Sequence, residues 1–226
     1  MNKPSWSRLL RWLLALCLPL ILLVVNVRLV TTHRFVNWEY KKAGFPPDPY
    51  GLSTAERIRL AEVSVDYLAT NASLSLLAAQ RLPDGQPAFN ARELRHMADV
   101  QLVYNRMTQA GFVAALITIG GIITLLVADR SRREAATALV NGSLFTLGLL
   151  VASGVFMALR WEEFFTTFHR IFFEGDTWTF PYSDTLIRLF PMRFWIDVAA
   201  VIVGSTFIEA AAIGIGGEMW RRRIGG

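Results

Sequence analysis

A mainly α polytopic membrane protein, with four transmembrane helices and a small extracytoplasmic cap, is predicted from three observations on this chain. Its 226 residues are 53% hydrophobic, with a mean hydropathy of +0.37, too apolar for a soluble domain of ordinary composition. The apolar residues gather in four runs, about 13–30, 111–128, 135–159 and 194–217. Each is near the length, roughly 20 residues, that an α-helix needs to cross a hydrocarbon core. The basic residues gather beside the ends of those runs.

Lys3, Arg8 and Arg11 precede the first run; Arg130, Arg132 and Arg133 link the second to the third; Arg221, Arg222 and Arg223 follow the fourth. An even number of crossings returns the chain to its starting side, so the three clusters share one face. By the positive-inside rule that face is the cytoplasm. Both termini are then expected in the cytoplasm, and about 31–106 and 160–193 outside. The net charge of +5 forms no single stripe, so no nucleic-acid partner is expected. Cys17 is the only cysteine, which excludes a disulfide within the chain. The first run reads as a retained anchor. No small-x-small cleavage site follows it before Arg34, and bulky Leu16 precedes Cys17 where a lipid-modified cysteine generally needs a small residue.

The long outer segment opens with Trp38 and Tyr40, then turns through Gly44-Phe45-Pro46-Pro47-Asp48-Pro49-Tyr50-Gly51, which no helix can cross. Ser53 and Glu56 have capping-box spacing, and Leu60, Val63, Val65, Tyr67 and Leu68 give the following helix an apolar face. After a loop around 82–87, Asn90 and Glu93 repeat the capping pattern before a helix that carries His96 into the second run. The short outer segment is crowded with rings. Ile171-Phe172-Phe173 and Thr177-Trp178-Thr179-Phe180 flank Glu174-Gly175-Asp176, a pattern that predicts a short β-hairpin with Gly in its turn. As a set these rings suit an interfacial belt, which leaves His169, Asp176 and Asp184 among them unexplained.

All three histidines fall on the outer side: His33 just past the first run, His96 and His169 in the two loops. Histidine is the side chain whose ordinary pKa suits acid–base work near neutrality. His96 and Asp99 are three apart on one helical face, either a surface pair or an imidazole oriented by a carboxylate. His169 follows Phe164-Phe165-Thr166-Thr167-Phe168. It is either a headgroup contact or a desolvated, neutral base. No HxH, HExxH or CxxC spacing preorganises a metal, no GxSxG elbow marks a serine nucleophile, and no phosphate-binding glycine loop is present. Glu209, inside the fourth run, reads as a helix-packing hydrogen bond or a side chain reaching the cytoplasm. Gly204, Ser205, Gly214 and Gly217 point to close packing along the same helix.

The stretches His96-Met97-Ala98-Asp99-Val100, Phe168-His169-Arg170-Ile171-Phe172-Phe173-Glu174-Gly175-Asp176-Thr177-Trp178 and Asp184-Thr185-Leu186-Ile187-Arg188-Leu189-Phe190-Pro191 resemble the bacterial lipoprotein intramolecular transacylases of the Lit type. The layout resembles that family over the whole chain. The resemblance implies a cell-membrane acyltransferase with its site at the outer face. It would move an acyl chain from the sn-2 ester of a lipoprotein's diacylglyceryl group to the α-amine of the N-terminal cysteine, giving the lyso form. It places the two functional histidines at His96 and His169, with Asp99, Asp176, Asp184 and Trp178 in support. It implies a diacylated lipoprotein substrate, contact with membrane lipids and no cofactor. The family commonly has Asn-Asp where this chain has Gly175-Asp176, and Pro-Glu where it has Pro191-Met192. A neutral imidazole suits that chemistry, since an α-amine of pKa near ~8 must lose a proton to attack an ester. Ester and amine in one molecule also gain effective molarity. An activity rise between roughly pH 6 and 8 is expected as an imidazole and the amine deprotonate. The competing classes are a non-catalytic membrane module that binds lipid or lipoprotein, and a metal-dependent lipid hydrolase.

Overall fold

A computed structural model describes residues 5–128 and 131–224; Lys3 and Arg130 of the basic clusters lie outside the described residues. The elements are α1 (Ser5–Val30), α2 (His33–Tyr40), α3 (Thr54–Ala69), α4 (Ser75–Ala78), α5 (Ala91–Val127), α6 (Arg132–Leu159), α7 (Trp161–Phe172), α8 (Thr185–Leu189) and α9 (Met192–Arg223). Helices α1, α5, α6 and α9 are each long and apolar enough to cross a membrane, matching the four apolar runs.

The chain divides into two compact units. The first holds the described residues within 1–26, 107–160 and 202–226. Leu14 packs there with Leu125, Ala135 and Ala138, and Leu18 and Leu22 pack with Ala210. Small residues let the helices approach closely. A Cβ at Gly214 would stand 3.0 Å from that of Ser143, and one at Gly217 would stand 3.1 Å from that of Leu139, whereas one at Gly204 would meet no other part of the protein within 4 Å. Gly204 is therefore no packing contact, contrary to its place in the expected stripe.

Glu209 has the packing role expected of it. The fully buried Asn26 donates from Nδ2 to Glu209 Oε2 at 2.7 Å and to Thr206 Oγ1 at 3.1 Å, and its Oδ1 accepts from Ser205 at 2.5 Å. Four polar side chains thereby satisfy one another between α1 and α9, where lipid offers no partner. A second polar tie joins Arg11 to Glu134 at 3.0 Å.

The second unit comprises 27–106 and 161–201. Its core gathers Leu60 and Tyr67 of α3, Leu77 of α4, Phe89, Met97 of α5, and Leu186 and Leu189 of α8. Ser53 caps α3 by accepting from Glu56 N at 3.1 Å, while the Glu56 carboxylate turns to Arg59, so only half of that capping box forms. Buried Arg57 ties the proline-rich turn to the 161–201 segment, donating to Pro46 O at 2.8 Å and Arg188 O at 2.9 Å. Tyr40 adds a bond to Leu189 O at 2.7 Å.

The Asn90–Glu93 capping box is complete. Asn90 Oδ1 accepts from Glu93 N at 3.0 Å, and Glu93 Oε2 accepts from Asn90 N at 2.8 Å. The other Glu93 oxygen accepts from Leu186 N at 2.7 Å. One buried carboxyl thus fixes the start of α5 to the start of α8, one turn before His96.

No strand occurs among the described residues; there is only an isolated bridge between Arg81 and Pro87. The expected β-hairpin is therefore wrong. Phe164, Phe165, Phe168 and Phe172 recur at helical spacing, and that period carries Ile171 and Phe172 into the last turn of α7. Beyond it the chain makes turns, with Thr179 N donating to Asp176 O at 3.1 Å and Gly175 at φ +59°.

Glu93→Ala removes acceptors from two backbone N–H groups, one of them buried beside α8. The expected cost is about 2–4 kcal/mol, read as a fall in Tm of about 5–10 °C for the detergent-solubilised protein. Glu93→Gln, which keeps one carbonyl acceptor, should fall between it and the parent.

Candidate active site

Residues 91–106 of α5 belong to the second unit and include Arg92, Glu93, Arg95, Asp99 and Arg106. This charged portion lies outside the apolar run that begins near Gly111. His96 follows Glu93 on it, with neighbouring Met97 anchored in the core. His169 is carried by α7. The two imidazole centroids are 6.4 Å apart with ring planes 23° from parallel. The sequence separates these residues by two helices' length of chain, and the fold brings them together.

Rings enclose the pair. Phe173 and Phe180 stand edge-on to His96 at 5.0 and 5.3 Å. Phe165 and Trp178 lie 4.1 and 4.9 Å from His169. Removing water from an imidazole penalises its charged form. Burial accordingly lowers the pKa of His96 to about 4, with the neighbouring His169 adding a smaller push in the same direction. Burial also lowers that of His169, partly offset by a hydrogen bond to the Phe165 carbonyl.

That bond defines a tautomer. His169 Nδ1 lies 2.8 Å from Phe165 O, and a carbonyl oxygen only accepts, so the neutral ring carries its proton on Nδ1. Its Nε2 then holds the free lone pair. His96 differs, because its buried Nδ1 has no hydrogen-bond partner. Such an atom costs roughly 1–3 kcal/mol when left unmade and is the one an incoming polar group would satisfy.

The other expected site residues divide. Trp178 is in the ring wall, held by donation from Nε1 to Gly175 O at 3.1 Å. Asp99 shares a helical face with His96, but no hydrogen bond or ion pair joins them. Asp184 pairs with Arg92 at 3.1 Å, and the Arg92 guanidinium lies 5.6 Å from the centroid of Phe180. Asp184 thus buttresses the wall that touches His96. Asp176 is exposed and joins the site through its backbone turn. His33 contacts Asp66 at 2.8 Å and Glu62 at 3.8 Å, an ordinary exposed polar cluster. Among the described residues no group of three His, Cys, Asp or Glu side chains is arranged to hold a metal.

Phe173, Phe180, Arg92 and the second bond of Glu93 were missed from sequence. Arg92 stands four residues before His96, one helical turn away, which is the signal that could have found it. The two departures from the Lit pattern have physical explanations. Gly175 occupies a left-handed position that glycine and asparagine both adopt readily. Met192 supplies its sulfur as the acceptor for Trp161 Nε1 at 2.7 Å, an accepting role open also to a carboxylate.

Comparison with known proteins agrees with this layout. The profile of the family described as "Lipoprotein intramolecular transacylase Lit" matches residues 12–195. An uncharacterized protein of Aquifex aeolicus (strain VF5) is 30% identical over 201 residues, covering 89% of each chain. The in meso structure of the membrane-integral lipoprotein intramolecular transacylase Lit from Bacillus cereus superposes with a TM-score of 0.81 over 98% of each chain, at 18% identity. A variant of that protein with one histidine replaced gives a TM-score of 0.73, also at 18% identity, over 98% of this chain and 95% of the other. The structural likeness shows a shared fold, and the family match spans most of the sequence: this chain belongs to the Lit family of lipoprotein intramolecular transacylases, which are membrane-integral acyltransferases.

Proposed function

We propose that this protein moves the sn-2 acyl chain of a diacylated lipoprotein onto the α-amine of the same molecule's N-terminal cysteine, giving the lyso form. We further propose that His169 is the general base and His96 its partner. The observation that carries this reading is the His169 Nδ1 bond to Phe165 O. It leaves the Nε2 lone pair free on a ring whose centroid lies 4.9 Å from that of Trp178 and 6.4 Å from that of a second imidazole, His96.

The chemistry balances without water or a cofactor. The neutral amine attacks the ester carbonyl carbon, so an N–C bond forms. Bonding to that carbon acidifies the nitrogen, and its proton then passes to Nε2 of His169. The C–O bond to glycerol breaks, and the departing oxygen takes a proton from an imidazole. His96, whose Nδ1 lacks a protein partner, stands ready to bind the oxyanion or serve the second transfer. An imidazole whose pKa is depressed cannot readily strip a free ammonium of pKa near ~8. The amine must therefore arrive neutral. Water exclusion by the rings favours transfer over hydrolysis.

An outer-face site and cytoplasmic termini are part of the same proposal, supported by the clustering of Arg8, Arg11, Arg132, Arg133 and Arg221–Arg223 at one set of span ends. Arg133 and Gln86 are both exposed. In a Cys17→Ser background, Gln86→Cys should label with an impermeant maleimide on intact cells, and Arg133→Cys only after permeabilisation. Labelling of Arg133→Cys from outside would overturn the orientation.

Mass spectrometry of a lipoprotein N-terminal peptide reads the reaction. Two substrates, one labelled in its acyl chains and the other in its peptide, should give lyso products without crossover. His169→Ala and His96→Ala should each lower the rate by about 10²–10⁴-fold while still inserting in the membrane. Asp99→Asn should remain within roughly twofold of the parent, since it bonds to neither imidazole. Undiminished conversion by the double histidine variant would exclude acid–base catalysis by this pair. Release of free fatty acid that stops on adding chelator would favour the metal-dependent hydrolase instead.

Burial shifts the expected pH profile. With His96 near 4 and His169 below its ordinary value, both are neutral at pH 7. The rise with pH should therefore follow the substrate amine, with an inflection near ~8, and the imidazole limb should lie below pH ~6.5. For stability the sign is the same. Unfolded imidazoles take protons that the folded ones resist, so stability should decline as pH falls below ~6.5. A single inflection at pH 6.5–7 in the rate would contradict the desolvated pair.

A further inference from the structure

The helix that carries His169 has a second face that the reaction does not use. Successive residues of an α-helix advance by about 100°, which places Ile171, Phe164, Phe168, Trp161, Phe172 and Phe165 on one arc of α7. Glu162, Glu163, Thr166, Thr167 and Arg170 occupy the opposite side. His169 falls at the boundary between them. Phe165 and His169, at one edge of the arc, turn toward the imidazole pair. Trp161 and Phe164 are partly covered, whereas Phe168, Ile171 and Phe172 face outward at 44%, 70% and 46% exposure, and no residue of α7 is buried. A twelve-residue helix with that composition and no buried side chain gains little from the protein core along this outward surface.

We propose that α7 is an interfacial helix, and that lipid acyl chains of the bilayer leaflet cover the Phe168–Ile171–Phe172 surface. Three features favour lipid as the occupant. Only Arg160 separates the end of the membrane-crossing α6 at Leu159 from the start of α7 at Trp161, so α7 begins where the hydrocarbon ends. Trp161 at that start is the residue type that favours the headgroup level. The charges of α7 are confined to the other side and also suit its own dipole, with Glu162 and Glu163 in the first turn and Arg170 in the last. An amphipathic helix so placed sinks its apolar face roughly 5–10 Å into the headgroup–acyl boundary. His169 then lies at the level where acyl esters meet water. That last consequence rests on the function proposed above, whereas the insertion itself does not.

Depth can be measured without any activity. The full-length protein, with Cys17→Ser, is reconstituted in phosphatidylethanolamine–phosphatidylglycerol vesicles and spin-labelled in turn at Ile171→Cys, Phe168→Cys and Arg170→Cys. Relaxation by oxygen, which concentrates in hydrocarbon, is compared with relaxation by a water-soluble nickel chelate. The labels at 171 and 168 should show an oxygen-to-nickel ratio several-fold above that at 170. Equal nickel access on both faces would overturn the proposal, because the surface would then meet water. Dipolar broadening between labels at 171 would also overturn it, because a second copy of the chain would be the cover. If the labels report insertion while the lipoprotein assay shows no transfer, only the function fails.

Discussion

Desolvation of two imidazoles that have no carboxylate partner is the constraint on which this site depends. A histidine in water titrates near neutrality and is divided between its two forms. Enclosed by Phe165, Phe173, Trp178 and Phe180 and set beside each other, His96 and His169 are both pushed toward the neutral form by burial. A carboxylate bonded to either ring would undo this by favouring the imidazolium. The separation of Asp99 from His96, and the diversion of Asp184 to Arg92, keep negative charge off the pair. Orientation comes instead from a neutral acceptor, the Phe165 carbonyl, which selects the tautomer at less electrostatic consequence than a carboxylate.

The surrounding fold holds this arrangement with backbone-directed bonds. Glu93 joins the first turns of α5 and α8, and Arg57 and Tyr40 reach the carbonyls of Arg188 and Leu189. These residues lie within 27–106, and their partners lie within 161–201. The two segments are far apart in sequence, and each would lose its position if the bonds between them failed. The first unit solves a different problem. Asn26, Ser205, Thr206 and Glu209 form a closed polar set within helices that are otherwise apolar, and Gly214 and Gly217 permit near contact of backbones. Lipid cannot drive such helices together by the hydrophobic effect, so close packing and shared hydrogen bonds carry the association.

Much of this architecture is legible in the amino-acid sequence. The four crossings follow from run length, and the start of α5 from Asn90 and Glu93, because both are local properties of the chain. The two histidines are legible as candidates from their residue type, from the side that the basic clusters lead one to expect, and from the Lit motifs. Their pairing is not, since nothing in a sequence reports that α7 turns His169 toward His96. The hairpin was misread because a short run of Phe and Ile fits a strand as well as a helix. The wider spacing from Trp161 to Phe172, taken as a whole, has the helical period. Spacing leaves Asp99 either a surface pair with His96 or its orienting carboxylate, because residues three apart share a helical face, but a shared face does not oblige contact. Gly204 was grouped with Gly214 and Gly217 by residue type alone, and burial separates them.

Neutrality of the buried pair is the claim from which the chemistry follows, and nitrogen-15 NMR of imidazole-labelled protein in lipid nanodiscs addresses it directly. At pH 6, near the ordinary histidine value of ~6.5, the His169 ring should show a protonated Nδ1 and an unprotonated Nε2. The His96 ring should also be neutral, and should stay so as the pH is lowered toward 5. Observation of both nitrogens protonated on His96 or His169 at pH 6 would contradict the account.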